Sequence, residues 1–325
     1  MKPFRYERAA DEPGAVAAVA EPGAKFLGGG TNLVDLMRLG VESPSRLVDV
    51  TRLPLDRIEP LDDGGVRIGA GVRNSDLAAD SRIRERYPAL AEALLAGASG
   101  QLRNLATTGG NLMQRTRCGY FQDVTMPCNK RAPGSGCPAI AGEHRNLAIL
   151  GHSEHCVATH PSDMAVALAA FDATVRVVGP DGPREIPIVD FHRLPGDAPE
   201  RDTVLGDDDL IVAVDLPALP LAALSCYRKV RERASFAFAL VSVAAALEVA
   251  DGRVVDVRIA FGGLAHRPWR ATIAEDALRG EVAGPEAFVA AADAELAAAR
   301  PLRDNAYKVG MAGAALVQTL EELAA

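Results

Sequence analysis

The chain has 325 residues and a mass of 34.1 kDa, with 35 basic and 43 acidic side chains and a net charge of −8. Apolar residues make up 48% and charged residues 24%, which excludes a disordered chain, a collagen-like chain and a coiled coil. The acidic balance weighs against nucleic acid as the main partner. No apolar run follows Lys2, Arg5 and Arg8, and the apolar stretch from Phe236 to Leu247 is too short for a bilayer, so a soluble protein without its own export signal is expected.

The first fifty residues read as an α/β unit. Asp11 to Ala20 is a short helix and Lys25-Phe26-Leu27 a brief strand. A glycine turn follows, and Thr31 or Asn32 caps a helix that ends at Leu39 before a left-handed Gly40. Leu47 to Val50 is the next buried strand. Beyond residue 55, Gly65 to Gly71 reads as a strand and Leu77 to Leu95 as one helix. Residues 113–156 are rich in Arg, Pro, Gly, His and Cys and lack periodicity, the pattern of a long functional or ligand-held loop. Ser162 to Phe171 is a capped helix, and Thr174 to Ile188 a hairpin around Asp181-Gly182. The last third offers three antiparallel strands, Ser225–Arg233, Phe238–Val249 and Val254–Phe261, then helices over about 285–299 and 303–324. The fold class is α+β in three parts, 1–55, 56–218 and 219–325.

Cysteine is unevenly spread. Cys118, Cys128, Cys137 and Cys156 share one short stretch, while Cys226 stands alone and suits a small core position. Two disulfides fit a chain of this size poorly. Zinc normally takes pairs two to four residues apart, which are absent, although His144, His152 and His155 lie nearby. An iron–sulfur cluster needs four thiolates at freer spacing. Chemistry alone leaves zinc and a cluster both open.

Two loops suggest a phosphate site. Gly28-Gly29-Gly30-Thr31-Asn32-Leu33 joins a strand to a helix, so its amides can point one way beside a positive helix end. Neither a P-loop lysine nor the Gly-x-Gly-x-x-Gly spacing is present. Thr107-Thr108-Gly109-Gly110-Asn111-Leu112 has the same chemistry, and the two together suit one dinucleotide pyrophosphate. Pro161-Ser162-Asp163 sets a carboxylate at a helix start, either as a cap or as an acceptor for ribose or ribityl hydroxyls.

These three segments resemble the flavin signature of the molybdenum hydroxylase family, which includes xanthine dehydrogenase, carbon monoxide dehydrogenase and bacterial aldehyde oxidoreductases. Tyr227 to Phe236 and Gly262 to Arg270 are similar to that family's last subdomain. The resemblance implies a two-subdomain FAD-binding fold of the molybdenum hydroxylase and vanillyl-alcohol-oxidase type, followed by an α+β domain with a three-stranded antiparallel sheet and helices. It implies FAD held by Lys25, Phe26, Leu27, Gly28, Gly29, Gly30, Thr31, Asn32, Leu33, Thr107, Thr108, Gly110, Asn111 and Asp163. Ile211 is expected against a ring, and Lys229 beside the flavin with Arg228 as its alternative.

Arg115 to Cys118, Pro127 to Arg131 and Pro133 to Cys137 are similar to the flavin subunit of the periplasmic aldehyde oxidoreductase branch, which implies that Cys118, Cys128, Cys137 and Cys156 hold one [4Fe–4S] cluster. Arg115, Arg117, Lys130 and Arg131 are then expected around it. The implied function is electron transfer through FAD to an external acceptor, within a complex that has a large molybdopterin-binding subunit and a small [2Fe–2S] subunit. The implied location is bacterial and soluble, periplasmic if the chain is co-exported with a partner subunit and otherwise cytoplasmic. Two rivals stand beside this reading: a self-contained FAD oxidoreductase with His192 or Tyr227 as acid or base, and a zinc-stapled scaffold without activity.

Overall fold

The computed structural model describes residues 1–325. Three sheets divide the chain in order. The first is parallel, with Arg46–Asp49 between Arg5–Arg8 and Ala24–Leu27. Helix Glu12–Val19 covers it, its Asp11 side chain accepting the Gly14 N–H at 2.7 Å. The second sheet is antiparallel and runs Ile58–Pro60, Val66–Gly69, Leu210–Leu216, Thr174–Gly179, Gly182–Pro187. The last two strands form the hairpin expected around Asp181-Gly182, where Gly182 takes a positive φ.

The expected helix over 77–95 is three helices: Asn74–Ala79, Ser81–Arg86 and Pro88–Ala96. Asp80 is extended and its carboxylate caps the second helix through the Arg82 N–H. Pro88 then opens the third, because proline suits a first turn and disfavours helix in the residue before it. Residues 113–156 contain only the turns Gly119–Gln122 and Pro138–Ile140 as helical elements. Their irregular backbone is tied inward: Arg131 donates to the carbonyls of Tyr120, Asp123 and Met126, and Asn129 donates to the His155 carbonyl at 3.0 Å.

The third sheet has four strands rather than three, in the order Trp269–Arg270, Arg253–Gly262, Val241–Ala250, Ser225–Val230. The added edge strand is two residues long, too short to leave a periodic signal. The final helix starts at Tyr307, four residues later than expected. Both faces of this sheet are buried. Val243, Ala245 and Leu247 face the two long C-terminal helices, whereas Ala244, Ala246 and Ala260 join the core around helix Asp163–Ala170. No helix is long and apolar enough to cross a membrane.

Candidate functional site

A cavity of about 630 Å³ opens between the first two sheets, within the size range of small-molecule sites. The first glycine loop forms one wall. Gly28, Gly29, Gly30, Thr31 and Asn32 line it, and the backbone N–H groups of Gly29 to Asn32 donate to nothing in the protein. Unspent backbone amides at a concave wall are the donor set that an anion requires. The Asn32 Oδ1 accepts the Arg115 N–H at 2.9 Å, which leaves its buried Nδ2 without a partner. The helix behind this loop, Leu33–Leu39, is only seven residues long, so the amides rather than a helix end carry the site.

The second loop abuts the first. A Cβ on Gly29 would overlap the Leu105 carbonyl, and one on Gly28 would stand 2.9 Å from Thr107 Oγ1. The two loops are therefore together, as expected, but their parts differ. Thr108, Gly109, Gly110 and Asn111 spend their N–H groups on Val72, Ala70, Thr107 Oγ1 and Thr107. Thr107 and Gly110 line the cavity; Thr108 is fully buried and its hydroxyl donates to Val72. Asn111 Oδ1 accepts Gln114 and, at 2.6 Å, Ser162. The second loop is thus a brace for the first.

Lys25, Phe26, Leu33 and Ile211 also line the cavity; Leu27, Asn111, Asp163 and Lys229 do not. Asp163 and Lys229 are tied to each other, Nζ to Oδ2 at 2.7 Å, and Tyr227 OH donates to Asp163 Oδ1 at 2.6 Å. The structure corrects the capping role considered for Asp163, since Ser162 is the cap and accepts the Ala165 N–H at 3.0 Å. Asp163 borders a separate small cavity with Arg117, His160 and Phe238. Arg228 faces Thr319 and Glu322 instead.

Sequence reasoning passed over an ion network at the floor of the large cavity. Asp202 Oδ1 accepts Lys130 Nζ at 2.5 Å and its Oδ2 accepts Arg115 Nε at 2.7 Å, while Arg115 also donates to Glu42 at 2.8 Å. Burial would raise the Asp202 pKa, but the two cations hold it well below the usual carboxylate range. Lys130 is 3% exposed, so it is no solvated loop charge. Glu42 and Asp202 come from distant segments, and only the preference of buried cations for partners hinted at them.

All four clustered cysteines line one small cavity with Lys130, Tyr120 and Phe121. All are free thiols. Burial pushes the Cys118 thiol up despite hydrogen bonds from the backbone of Phe121 and Tyr120. The Cys156 thiol donates to Cys137, which, with backbone bonds from Val157, Ala139 and Ile140, brings Cys137 down to about 6 and sends Cys156 up. Backbone amides are aimed at three of the four sulfurs, those of Cys118, Cys137 and Cys156, the kind of bond by which a protein tunes a thiolate-held centre. No three His, Cys, Asp or Glu side chains stand close enough to grip one ion.

Residues 2–219 match the family model for the FAD-binding domain in molybdopterin dehydrogenases, and residues 225–323 match the carbon monoxide dehydrogenase flavoprotein C-terminal domain. The chain belongs to the FAD-binding subunits of the molybdenum hydroxylases. It is 52% identical to the aldehyde oxidoreductase FAD-binding subunit of Escherichia coli, over 99% of this chain and 98% of that one. It is 27% identical to the carbon monoxide dehydrogenase medium chain of Hydrogenophaga pseudoflava, over 95% and 93%. A solved structure of the latter enzyme superposes with a TM-score of 0.76 at 28% identity, covering 99% and 98% of the two chains. Carbon monoxide dehydrogenase from Oligotropha carboxidovorans shares the fold, with a TM-score of 0.78 at 22% identity over 99% and 98%. FAD is therefore the cofactor of the first two subdomains, and these relatives are flavin subunits of oxidoreductase complexes.

Proposed function

We propose that this chain is the FAD- and [4Fe–4S]-carrying subunit of a molybdenum-dependent aldehyde oxidoreductase, and that it passes electrons from a large molybdopterin subunit and a small [2Fe–2S] subunit to an external acceptor. The carrying observation is a pair of adjoining sites, one walled by unspent amides and one by four free thiols, joined by the Lys130–Asp202 ion pair. The identity to a subunit named for aldehyde oxidoreductase supports the substrate class.

FAD would supply two-electron chemistry that can be split into single steps. The chain's own residues bind and shield it. Gly29 to Asn32 offer N–H groups to the pyrophosphate, and Asn32 Nδ2 gains its missing partner there. Thr107 and Gly110 close the opposite wall, with Ile211 as an apolar contact. The buried Asp163–Lys229 pair and Tyr227 fix the packing of the last subdomain on this body. Cys118, Cys128, Cys137 and Cys156 would hold the cluster, with Lys130 offsetting its negative charge. A self-contained oxidoreductase with Tyr227 as its acid or base is disfavoured because the Tyr227 OH is spent on Asp163.

Anaerobic purification tests this reading. The expected product binds about one FAD and roughly four irons and four sulfides per chain. Cys128→Ser is expected to lose the iron and to expose residues 113–156 to protease, while keeping FAD. Colourless protein refusing both cofactors would end the proposal, and iron retained in the variant would end the ligand assignment.

A further inference from the structure

The cysteine-rich insertion reaches the large cavity through a run of ion pairs, with Arg115 as the hub. Arg115 Nε donates to Asp202 Oδ2 at 2.7 Å and Nη1 to Glu42 Oε1 at 2.8 Å, and the guanidinium lies 4.7 Å over the Phe121 ring. Lys130 Nζ donates to the other oxygen of Asp202 at 2.5 Å and to the Pro199 carbonyl at 2.7 Å. Glu42 in turn pairs with Lys25 at 3.2 Å. Lys25, Glu42, Arg115 and Asp202 line the large cavity and Lys130 lines the cysteine pocket, so one series of alternating charges joins the two.

These pairs hold the Arg115 backbone still, and the Arg115 N–H donates to Asn32 Oδ1 at 2.9 Å. A backbone N–H can only donate, so the Asn32 atom facing it is the oxygen. Asn32 precedes helix Leu33–Leu39, where an asparagine ordinarily spends that oxygen on an N–H of its own helix; here it makes no such bond. A carboxamide pinned by its oxygen has its nitrogen pinned as well, because the two atoms are opposite arms of one planar group. Asn32 lines the cavity, and its Nδ2 is buried without a partner. Buried donors are nearly always paired, so a contact that keeps one unpaired at a cavity wall marks a donor reserved for a ligand. Released from Arg115, the carboxamide is free to cap its own helix or to turn its oxygen inward, where an anion needs a donor.

We propose that Arg115 and Asp202 are positioning residues for FAD binding: with Glu42 and Lys130 they fix the Asn32 carboxamide so that Nδ2 donates into the cavity. The inference rests on the large cavity being the FAD site. It makes the insertion that carries Arg115 and Lys130 a working part of that site, whatever its cysteines hold.

Holoprotein dialysed against graded FAD, with bound flavin read from its visible band, gives the dissociation constant. Asp202→Asn leaves the Arg115 side chain one carboxylate short and is expected to raise that constant about tenfold, the weight of one lost hydrogen bond. Asn32→Ala alone is expected to cost a similar factor. The two combined decide the matter. If Asp202 acts through Asn32, Asp202→Asn adds less than about twofold once Asn32 is alanine, because residues of one network are not additive. A merely structural role multiplies the two losses. Arg115→Lys is the second arm, since it keeps the positive charge but cannot span both carboxylates, and its loss is also expected to vanish in the Asn32→Ala background. That arm decides if Asp202→Asn fails to fold. Unchanged FAD affinity in both variants, or losses that multiply with that of Asn32→Ala, overturns the proposal. Native protein that binds no FAD, or Asn32→Ala that binds it as tightly as the native protein, ends the site assignment and this inference together. Native binding with multiplied losses ends only the positioning role.

Discussion

Gly29 sits where the two glycine loops meet, and its missing side chain is what lets them meet. A methyl there would overlap the Leu105 carbonyl, which is backbone and cannot swing aside. Gly29→Ala is therefore expected to force the loops apart, costing about 1–3 kcal/mol of stability as overpacking does. It also tilts the row of free amides away from the cavity. The measurable result is at least a tenfold loss of FAD affinity with the fold retained. Gly100→Ala is the control, because nothing lies within 4 Å of its added Cβ. Equal FAD affinity in the two variants would remove the first loop from the site. Residue chemistry of this kind was legible in the sequence: three glycines followed by Thr31 and Asn32 announced a turn with aimed amides. What was not legible was the division of labour, because spent and unspent amides differ only through contacts with Val72 and Ala70, residues of a distant strand end.

Elements show the same split between local and distant causes. The hairpin at Asp181-Gly182 and the capped helix after Ser162 follow from residues a few positions apart, and so they could be read in advance. The break of one expected helix into three also had local signals in Asp80 and Pro88, outweighed by the leucine periodicity. The Asp163–Lys229 pair had none, since its partners lie on different elements 66 residues apart. The end of the cysteine loop is anchored in the same distant way. Lys308, on the last helix, is fully buried and donates to the carbonyls of Asn146, Leu147 and Gly263 at 3.2, 3.1 and 2.6 Å. Asn305 adds contacts to His144, Leu147 and Ala148. Lys308→Met keeps the volume and strands the Asn146 and Gly263 carbonyls, Leu147 keeping Asn305, and each lost bond is worth about 1–3 kcal/mol when left unmade. A loss of about 3 kcal/mol in urea unfolding is expected, together with faster hydrogen exchange at 144–148. Unchanged exchange there would mean that the helix does not hold the loop.

At the scale of the whole molecule, the third sheet decides how many bodies the chain makes. Its central strand reads Val241-Ser-Val-Ala-Ala-Ala-Leu, apolar at every second position on one side and small on the other. The small side, Ala244 and Ala246, belongs to the same core as helix Asp163–Ala170 and the second sheet, while the larger side packs on the C-terminal helices. Alanine on both the strand and the helix lets the two backbones approach closely, so the boundary between the FAD-binding body and the last subdomain is core, not linker. A continuous core of this kind couples the two parts, unlike the polar interfaces across which domains move independently. The protein is therefore expected to unfold in one transition, with flavin release and loss of the C-terminal helices coinciding in denaturant. Ala246→Leu tests the cause. It wedges a larger side chain into the shared face, lowers overall stability by about 1–3 kcal/mol, and separates the two signals as the seam loosens. If flavin release and helix loss already occur at different denaturant concentrations in the native protein, the small-residue face is a docking surface between two independent folds rather than a single core.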